Sequence, residues 1–242
     1  MKMNYTLFIL IGIIGIFYYN TFQWLIESWL HNEYYSHGFL ILIVSAYIIW
    51  NMREGLKTIE KKQSNIGLGF IVGGILLQIF STQWTIRSLS GISLLLTTAG
   101  IIIYIYGWEV MKKIKFPLIL MLLAIPVPFI ETVATPVQTI SAISSAEIAQ
   151  KIGLPIHRDG LTIYLPNASF EIGLPCSGIN SIISLFTIGI IFAFMLEGSR
   201  LMKTAIIIST IPLALTGNII RIVSILIIGN KYGQKVALDY FH

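Results

Sequence analysis

The chain has 242 residues, of which 55% are hydrophobic and only 11% are charged, and its formal net charge is +5. A soluble domain carries roughly 25% charged residues, so this composition excludes a water-soluble globular protein and indicates a polytopic membrane protein with short loops. The positive charge is no evidence for nucleic acid as a partner, because lysine and arginine mark the cytoplasmic side of membrane proteins.

Apolar runs predict an all-α fold with about seven transmembrane helices. In chain order the runs cover residues 5–19, 35–50, 66–80, 91–106, 116–130, 177–196 and 204–228. The tryptophans lie near the predicted span ends, as an interfacial aromatic belt would place them: Trp24, Trp29, Trp50, Trp84 and Trp108. With a cytoplasmic N-terminus, ten basic residues fall in cytoplasmic segments and five in outer segments, which favours that orientation.

Residues 1–242 are predicted to form a single transmembrane domain, whose longest outer loop covers residues 131–175. The first part of this loop, TPVQTISAISSAEIAQKIG, has helical spacing of apolar residues and predicts an interfacial amphipathic helix. The second part, GLTIYLPNASFEIGLP, alternates around a PNAS turn and predicts a short β-hairpin. A small structured cap therefore leads into the next span.

The only cysteine, Cys176, follows this cap at the start of an apolar run. A lone cysteine in an apolar chain is ordinarily a small buried hydrophobe. Here Pro175 ends the preceding strand, while Ser177 and Gly178 begin a helix, and a helix N-terminus lowers the pKa of a thiol. The position predicts a reactive thiolate at the outer face of the membrane.

Arg221 lies inside the last predicted span, where an arginine at the bilayer centre costs at least ~2.5–3.5 kcal/mol. Snorkelling to the interface is the simpler interpretation, but an ionisable residue in a span is by default a functional candidate. Asn218 lies three residues earlier and can face the same way. The two residues predict a polar pocket in the outer half of the membrane, at a depth similar to that of Cys176.

All four histidines, His31, His37, His157 and His242, fall on the predicted outer side. His242 ends the chain and could accept a thiol proton, since an unperturbed imidazole titrates near pH 6.5. His157 lies in a polar turn, and His31 and His37 are attributed to interfacial preference. The histidines are too scattered to predict a zinc site, so no metal is expected.

Taken in order, PCSGINS before an apolar helix, TGNIIR in the next span and DYFH at the end resemble the exosortase/archaeosortase family of membrane cysteine transpeptidases. YYSHGFL, FPLILMLLAIPVP and IGLPIHRDGLTIYLP resemble further family segments. The resemblance extends from about residue 24 to the end of the chain. It is closer to exosortases, because archaeosortases can have arginine at the place of His242.

The resemblance implies that Cys176 is the nucleophile, that Arg221 stabilises the oxyanion or holds the substrate, and that His242 is the general acid or base. Asn218, Ser177 and Gly178 would contribute to substrate binding. The implied activity cleaves the C-terminal sorting signal of an exported protein and transfers that protein through a thioester to a cell-surface acceptor, with no cofactor. The implied partners are membrane lipids, exported proteins with a three-part C-terminal signal, and a lipid or exopolysaccharide acceptor. The implied location is the cell membrane.

In the family a further apolar span follows the histidine, so an eighth helix is expected beyond His242. Two alternatives to the transpeptidase have different consequences. A transporter or flippase would use Pro212, Asn218 and Arg221 to line a path, and a non-catalytic subunit of an exopolysaccharide assembly system would need no nucleophile. Both would tolerate Cys176→Ala, whereas a transpeptidase would not.

Overall fold

The computed structural model describes residues 12–32, 34–128, 130–173 and 178–241, except for the side chains of residue 131 and residues 238–241. Three predicted site residues, Cys176, Ser177 and His242, lie outside the described residues, as do residues 5–11 of the first predicted span. The chain forms two compact units, residues 1–128 and 129–242, and each is described by itself.

The described part of the first unit is helical. Residues 12–17 form a helical stretch ahead of the first long helix. The helices that follow are α1 (Tyr19–His31), α2 (Gly38–Asn51), α3 (Arg53–Lys57), α4 (Ile66–Gln83), α5 (Arg87–Tyr106) and α6 (Trp108–Leu120), and a 3-10 turn (Met121–Ala124) follows α6.

Helices α4 and α5 form a close antiparallel hairpin because glycines remove the side chains that would separate them. A Cβ atom at Gly67 would collide with the backbone of Gly100 and Tyr104, and one at Gly74 would collide with the Thr97 hydroxyl. The large apolar side chains of α4 point outward instead, so that Leu76 is 61% exposed. In a soluble protein such a surface would be unstable, whereas in a lipid bilayer it is the expected arrangement.

The fifth predicted span, residues 116–130, is not one helix. Helix α6 starts earlier, at Trp108, and the α-helix ends at Leu120. The 3-10 turn ends at Ala124, and the backbone of the next residue, Ile125, is extended. The reason is the Pro126-Val127-Pro128 sequence, because a proline disfavours helical conformation in the residue before it and cannot donate a helical hydrogen bond.

The second unit combines helices with a small sheet. It contains α7 (Ile130–Lys151), β1 (His157–Asp159), β2 (Thr162–Leu165), β3 (Ala168–Glu171), α8 (Ile179–Met195), α9 (Arg200–Tyr232) and α10 (Gln234–Phe241). The strands form an antiparallel sheet in the order β1-β2-β3. Strands β2 and β3 form the hairpin around Asn167, with Leu165 opposite Ala168, and β1 is an additional strand that the sequence pattern did not predict.

The sheet packs against the C-terminal half of α9. Ile163, Phe170 and Ile172 share a buried cluster with Ile222 and Leu226 of that helix. A Cβ atom at Gly229 would lie 2.5 Å from Phe170 Cζ, so only glycine allows this approach. The sheet is thereby held next to the part of α9 that follows Arg221.

Three described helices are long and apolar enough to cross a membrane: α4, α5 and α9. Helices α2 and α8 are shorter apolar helices of 14 and 17 residues. Helix α9 has 33 residues, about 50 Å at 1.5 Å per residue, and is therefore longer than the hydrocarbon core. The helical membrane fold is thus confirmed, while the number of spans and the orientation stay predictions.

Candidate active site

Gly178 begins helix α8 and lies directly against Asn218 of α9. Its φ is 85°, in the left-handed region that favours glycine. A Cβ atom at this position would lie 2.9 Å from Cγ and Nδ2 of Asn218. Both constraints require glycine here, so Gly178 reflects a close approach between two helices.

Asn218 is buried, with 3% of its surface exposed, and is held from a third helix. Its Nδ2 donates a hydrogen bond of 3.2 Å to Oγ of Ser141 in α7. A buried amide that bonds across helices fixes their relative register. Asn218 therefore joins α7, α8 and α9 at one point.

Arg221 lies one turn further along α9, on the same side of the helix as Asn218. It is half-buried, and the atom Nε is fully enclosed. Both predicted polar residues of α9 therefore lie at the junction of α7, α8 and α9. A guanidinium there is a fixed positive charge in an environment of low polarity, where it attracts an anion strongly.

The described residues on either side of Cys176 both pack on α9. Before it, Phe170 of β3 contacts Gly229; after it, Gly178 contacts Asn218. These two contact points on α9 are eleven residues apart, about 16 Å along the helix axis, and Arg221 lies between them.

The sequence pattern missed the contribution of α7 to this site. Its small and polar side chains are buried, while isoleucines such as Ile140, which is 50% exposed, face outward. Ser141 and Ser145 are fully buried. The signal was present as small or polar residues at helical spacing: Ala134, Gln138, Ser141, Ala142, Ser145, Ala146 and Ala149. The apolar residues whose spacing predicted this helix therefore lie on its exposed face.

Two buried polar atoms in the helices that form this junction have no hydrogen-bond partner in the part of the chain that the structure describes. They are Oγ of Ser145, one turn after Ser141 in α7, and Oδ1 of Asn180, two residues after Gly178 in α8. Leaving a buried acceptor unsatisfied costs about 1–3 kcal/mol. Helices α7 and α8 therefore have hydrogen-bonding capacity that the described residues do not use.

An open groove of about 350 Å³ runs between α8 and α9 and reaches Asn218 and Arg221. Much of its wall consists of small residues, so backbone is close to its surface: Ser181, Ser184, Ala214 and Gly217. The groove thus gives the buried polar site an opening along the side of the helices.

Among the described histidines, none lies at this junction. His31 and His157 are exposed. Nε2 of His37 is buried and has no hydrogen-bond partner among the described residues.

Trp29 was assigned to the aromatic belt, but it is buried in the first unit, with 8% of its surface exposed. Its indole Nε1 donates a hydrogen bond of 2.7 Å to the Ala124 carbonyl. Trp50, Trp84 and Trp108 are exposed, as members of a belt would be.

The fold and this junction define a helical membrane protein whose candidate active site lies where three helices meet. Residues 29–242 match the family model of transmembrane exosortases, Exosortase_EpsH, and the chain belongs to that family. The family assignment made from the sequence motifs is thereby confirmed, and it supports a function of the membrane transpeptidase type. No curated protein and no solved structure matches the chain.

Proposed function

We propose that this exosortase is a cysteine transpeptidase in which Cys176 is the nucleophile, Arg221 the electrostatic stabiliser and His242 the proton carrier. The main support is the packing of the residues that flank Cys176, which contact α9 before and after Arg221. A segment anchored on both sides of an intramembrane arginine suits a reaction that develops negative charge.

The reaction is acyl transfer. The Cys176 thiolate attacks a peptide carbonyl carbon, a C–S bond forms, and the carbonyl electron pair moves to oxygen. Arg221 stabilises this oxyanion, a contribution of ~2.7–4 kcal/mol for one well-placed donor. The C–N bond then breaks, the amine leaves with a proton from His242, and an acceptor nucleophile or water releases the acyl group from the thioester.

The proposed substrate is an exported protein with a C-terminal sorting signal that includes a transmembrane helix and a basic tail. Its scissile peptide would arrive at the outer interface, where the predicted topology places Cys176. Asn218 and the Ser177-Gly178 pair would bind the substrate backbone. The acceptor is a cell-surface lipid or polysaccharide.

Co-expression with a tagged protein that bears such a signal tests the activity by a gel shift. We expect the wild type to remove the signal, and we expect no processing with Cys176→Ala or Cys176→Ser, at a loss of more than about 10³-fold. Ser224→Ala is the matched control, because this serine lies on α9 and, among the residues that the structure describes, its hydroxyl group bonds to the backbone carbonyl of Ile220 alone. Processing that persists in Cys176→Ala would contradict the proposal and leave the transporter and the assembly subunit as explanations.

The single cysteine allows a second test that needs no substrate. A membrane-impermeant maleimide added to intact cells can label this protein only at Cys176. We expect labelling from the outside, at a rate that rises with pH through the thiol pKa. Arg221→Gln should move that midpoint to higher pH, because the nearby cation stabilises the thiolate. Labelling only after permeabilisation would contradict the proposed outer-face position.

A further inference from the structure

A polar cavity of about 410 Å³ opens in the first unit, where the hairpin of α4 and α5 turns. Its walls are the first turns of α1, the C-terminal part of α4 and the start of α5. Because α4 and α5 are candidate membrane spans, their connecting turn lies at a membrane–water boundary. Trp84 in this turn is 65% exposed, as an interfacial tryptophan would be.

The floor of the cavity is a buried network that joins three helices. Gln78 of α4 accepts hydrogen bonds at Oε1 from Ser90, at 2.7 Å, and from Ser93, at 2.8 Å, both of α5. Its Nε2 donates to Thr21 of α1 over 3.4 Å. Thr21, Gln78, Ser81 and Ser90 are all less than 9% exposed and line the cavity. The floor is therefore fixed in place and polar.

Opposite charges line the rim. Glu27 of α1 and Arg87 of α5 both face the cavity, and both are exposed. Neither side chain forms an ion pair with another described residue. The ion pairs that the described residues do form all join residues close in sequence. Two opposite charges that share a cavity without pairing provide complementary sites for a ligand with both a cation and an anion.

The surface around the cavity is apolar. Phe22 and Ile26 of α1 and Ile79 and Phe80 of α4 are between 38% and 55% exposed. A ligand with a charged head and hydrocarbon chains matches a polar cavity that is bordered by lipid-facing side chains at the membrane boundary.

We propose that this cavity binds the head group of a zwitterionic phospholipid, with the phosphate at Arg87 and the ammonium group at Glu27. The acyl chains lie along the exposed apolar side chains of α1 and α4. A primary ammonium fits better than a quaternary one, because it donates hydrogen bonds to Glu27 and to the hydroxyl groups of Thr82 and Thr85 on the rim. This site lies in the first unit and does not depend on the proposed peptide chemistry.

Native mass spectrometry of the full chain in detergent tests the site, with dioleoyl phosphatidylethanolamine and dioleoyl phosphatidylglycerol supplied in equal amounts. We expect one retained phosphatidylethanolamine per chain in the wild type. Arg87→Gln and Glu27→Gln should each lower its retention about 10-fold, the effect of one lost charge-assisted hydrogen bond. Glu197→Gln and Arg200→Gln are the matched controls, because both side chains are exposed and lie outside this cavity.

A blocking variant separates binding from folding. Thr82 lies on the exposed rim, and Thr82→Trp should fill the cavity and abolish retention while the melting temperature without lipid stays within a few degrees. Equal retention of both lipids that the rim variants do not change would overturn the proposal. A preference for phosphatidylglycerol that only Arg87→Gln removes would show a simple anion site. Competition by soluble glycerophosphoethanolamine at equal concentration would show that the acyl chains are not needed for binding. Either result would also overturn the proposal.

Discussion

The two units bury polar side chains in different ways. At the contact of α1, α4 and α5, the Gln78 amide and its surrounding hydroxyl groups bond to one another. In α7 and α8 of the second unit, Ser145 Oγ and Asn180 Oδ1 are buried without a partner among the described residues. A network that satisfies itself stabilises helix packing, whereas unsatisfied buried acceptors reduce stability and are expected where a substrate binds.

The strongest test of this difference compares Arg221→Gln with Gln78→Leu. Arg221→Gln should lower the processing rate about 10²- to 10³-fold, because one oxyanion donor is lost, and should leave the protein folded. Gln78→Leu should instead lower the melting temperature, because it removes the Oε1 acceptor that the hydroxyl groups of Ser90 and Ser93 share.

The two readouts are the gel-shift assay and a thermal melt in detergent, with the rate expressed per folded molecule. The per-molecule rate of Gln78→Leu should equal that of the wild type. If Arg221→Gln unfolds the protein as readily as Gln78→Leu does, both polar regions are structural and the contrast between them is wrong.

Gly67→Ala tests how closely the helices of the first unit approach. The new methyl group would collide with the backbone of Gly100 and Tyr104, which cannot move aside as a side chain can. We expect a loss of about 1–3 kcal/mol in the free energy of unfolding. Gly69→Ala is the control on the same helix, since nothing lies within 4 Å of its Cβ position. Equal melting temperatures for the two variants would contradict the close packing.

Gly178→Ala tests the corresponding contact in the second unit. The left-handed φ alone costs about 1–2 kcal/mol for a non-glycine residue, and the methyl group also presses on Asn218. Stability should fall and processing should fall with it, because the helix start that follows Cys176 is displaced. In the double variant with Asn218→Ala, part of the loss in stability should be recovered, and additive losses would show that the two residues do not touch.

Some features followed from the sequence because they depend on local chemistry. The apolar runs near residues 66–80, 91–106 and 204–228 became α4, α5 and α9, since a bilayer requires about 20 apolar residues with internally bonded backbone. The ordered motifs identified the exosortase family. Arg221 was a candidate because a charge within an apolar run is costly wherever it packs.

The tertiary structure alone decided which face of each helix is buried. Lipid tails are as apolar as leucine side chains, so hydrophobic periodicity does not identify the face of a membrane helix that packs against other helices. Small residues, which allow the helices to approach closely, identify that face instead. In α7, which is not among the candidate membrane spans, small residues also form the buried face and the isoleucines face outward, so that Ser141 reaches Asn218. Gly178 fits against the same amide. Hydrophobicity determined that α4, α5 and α9 are helices long and apolar enough to cross a membrane, whereas close contact at glycine, alanine and serine determined how the helices pack.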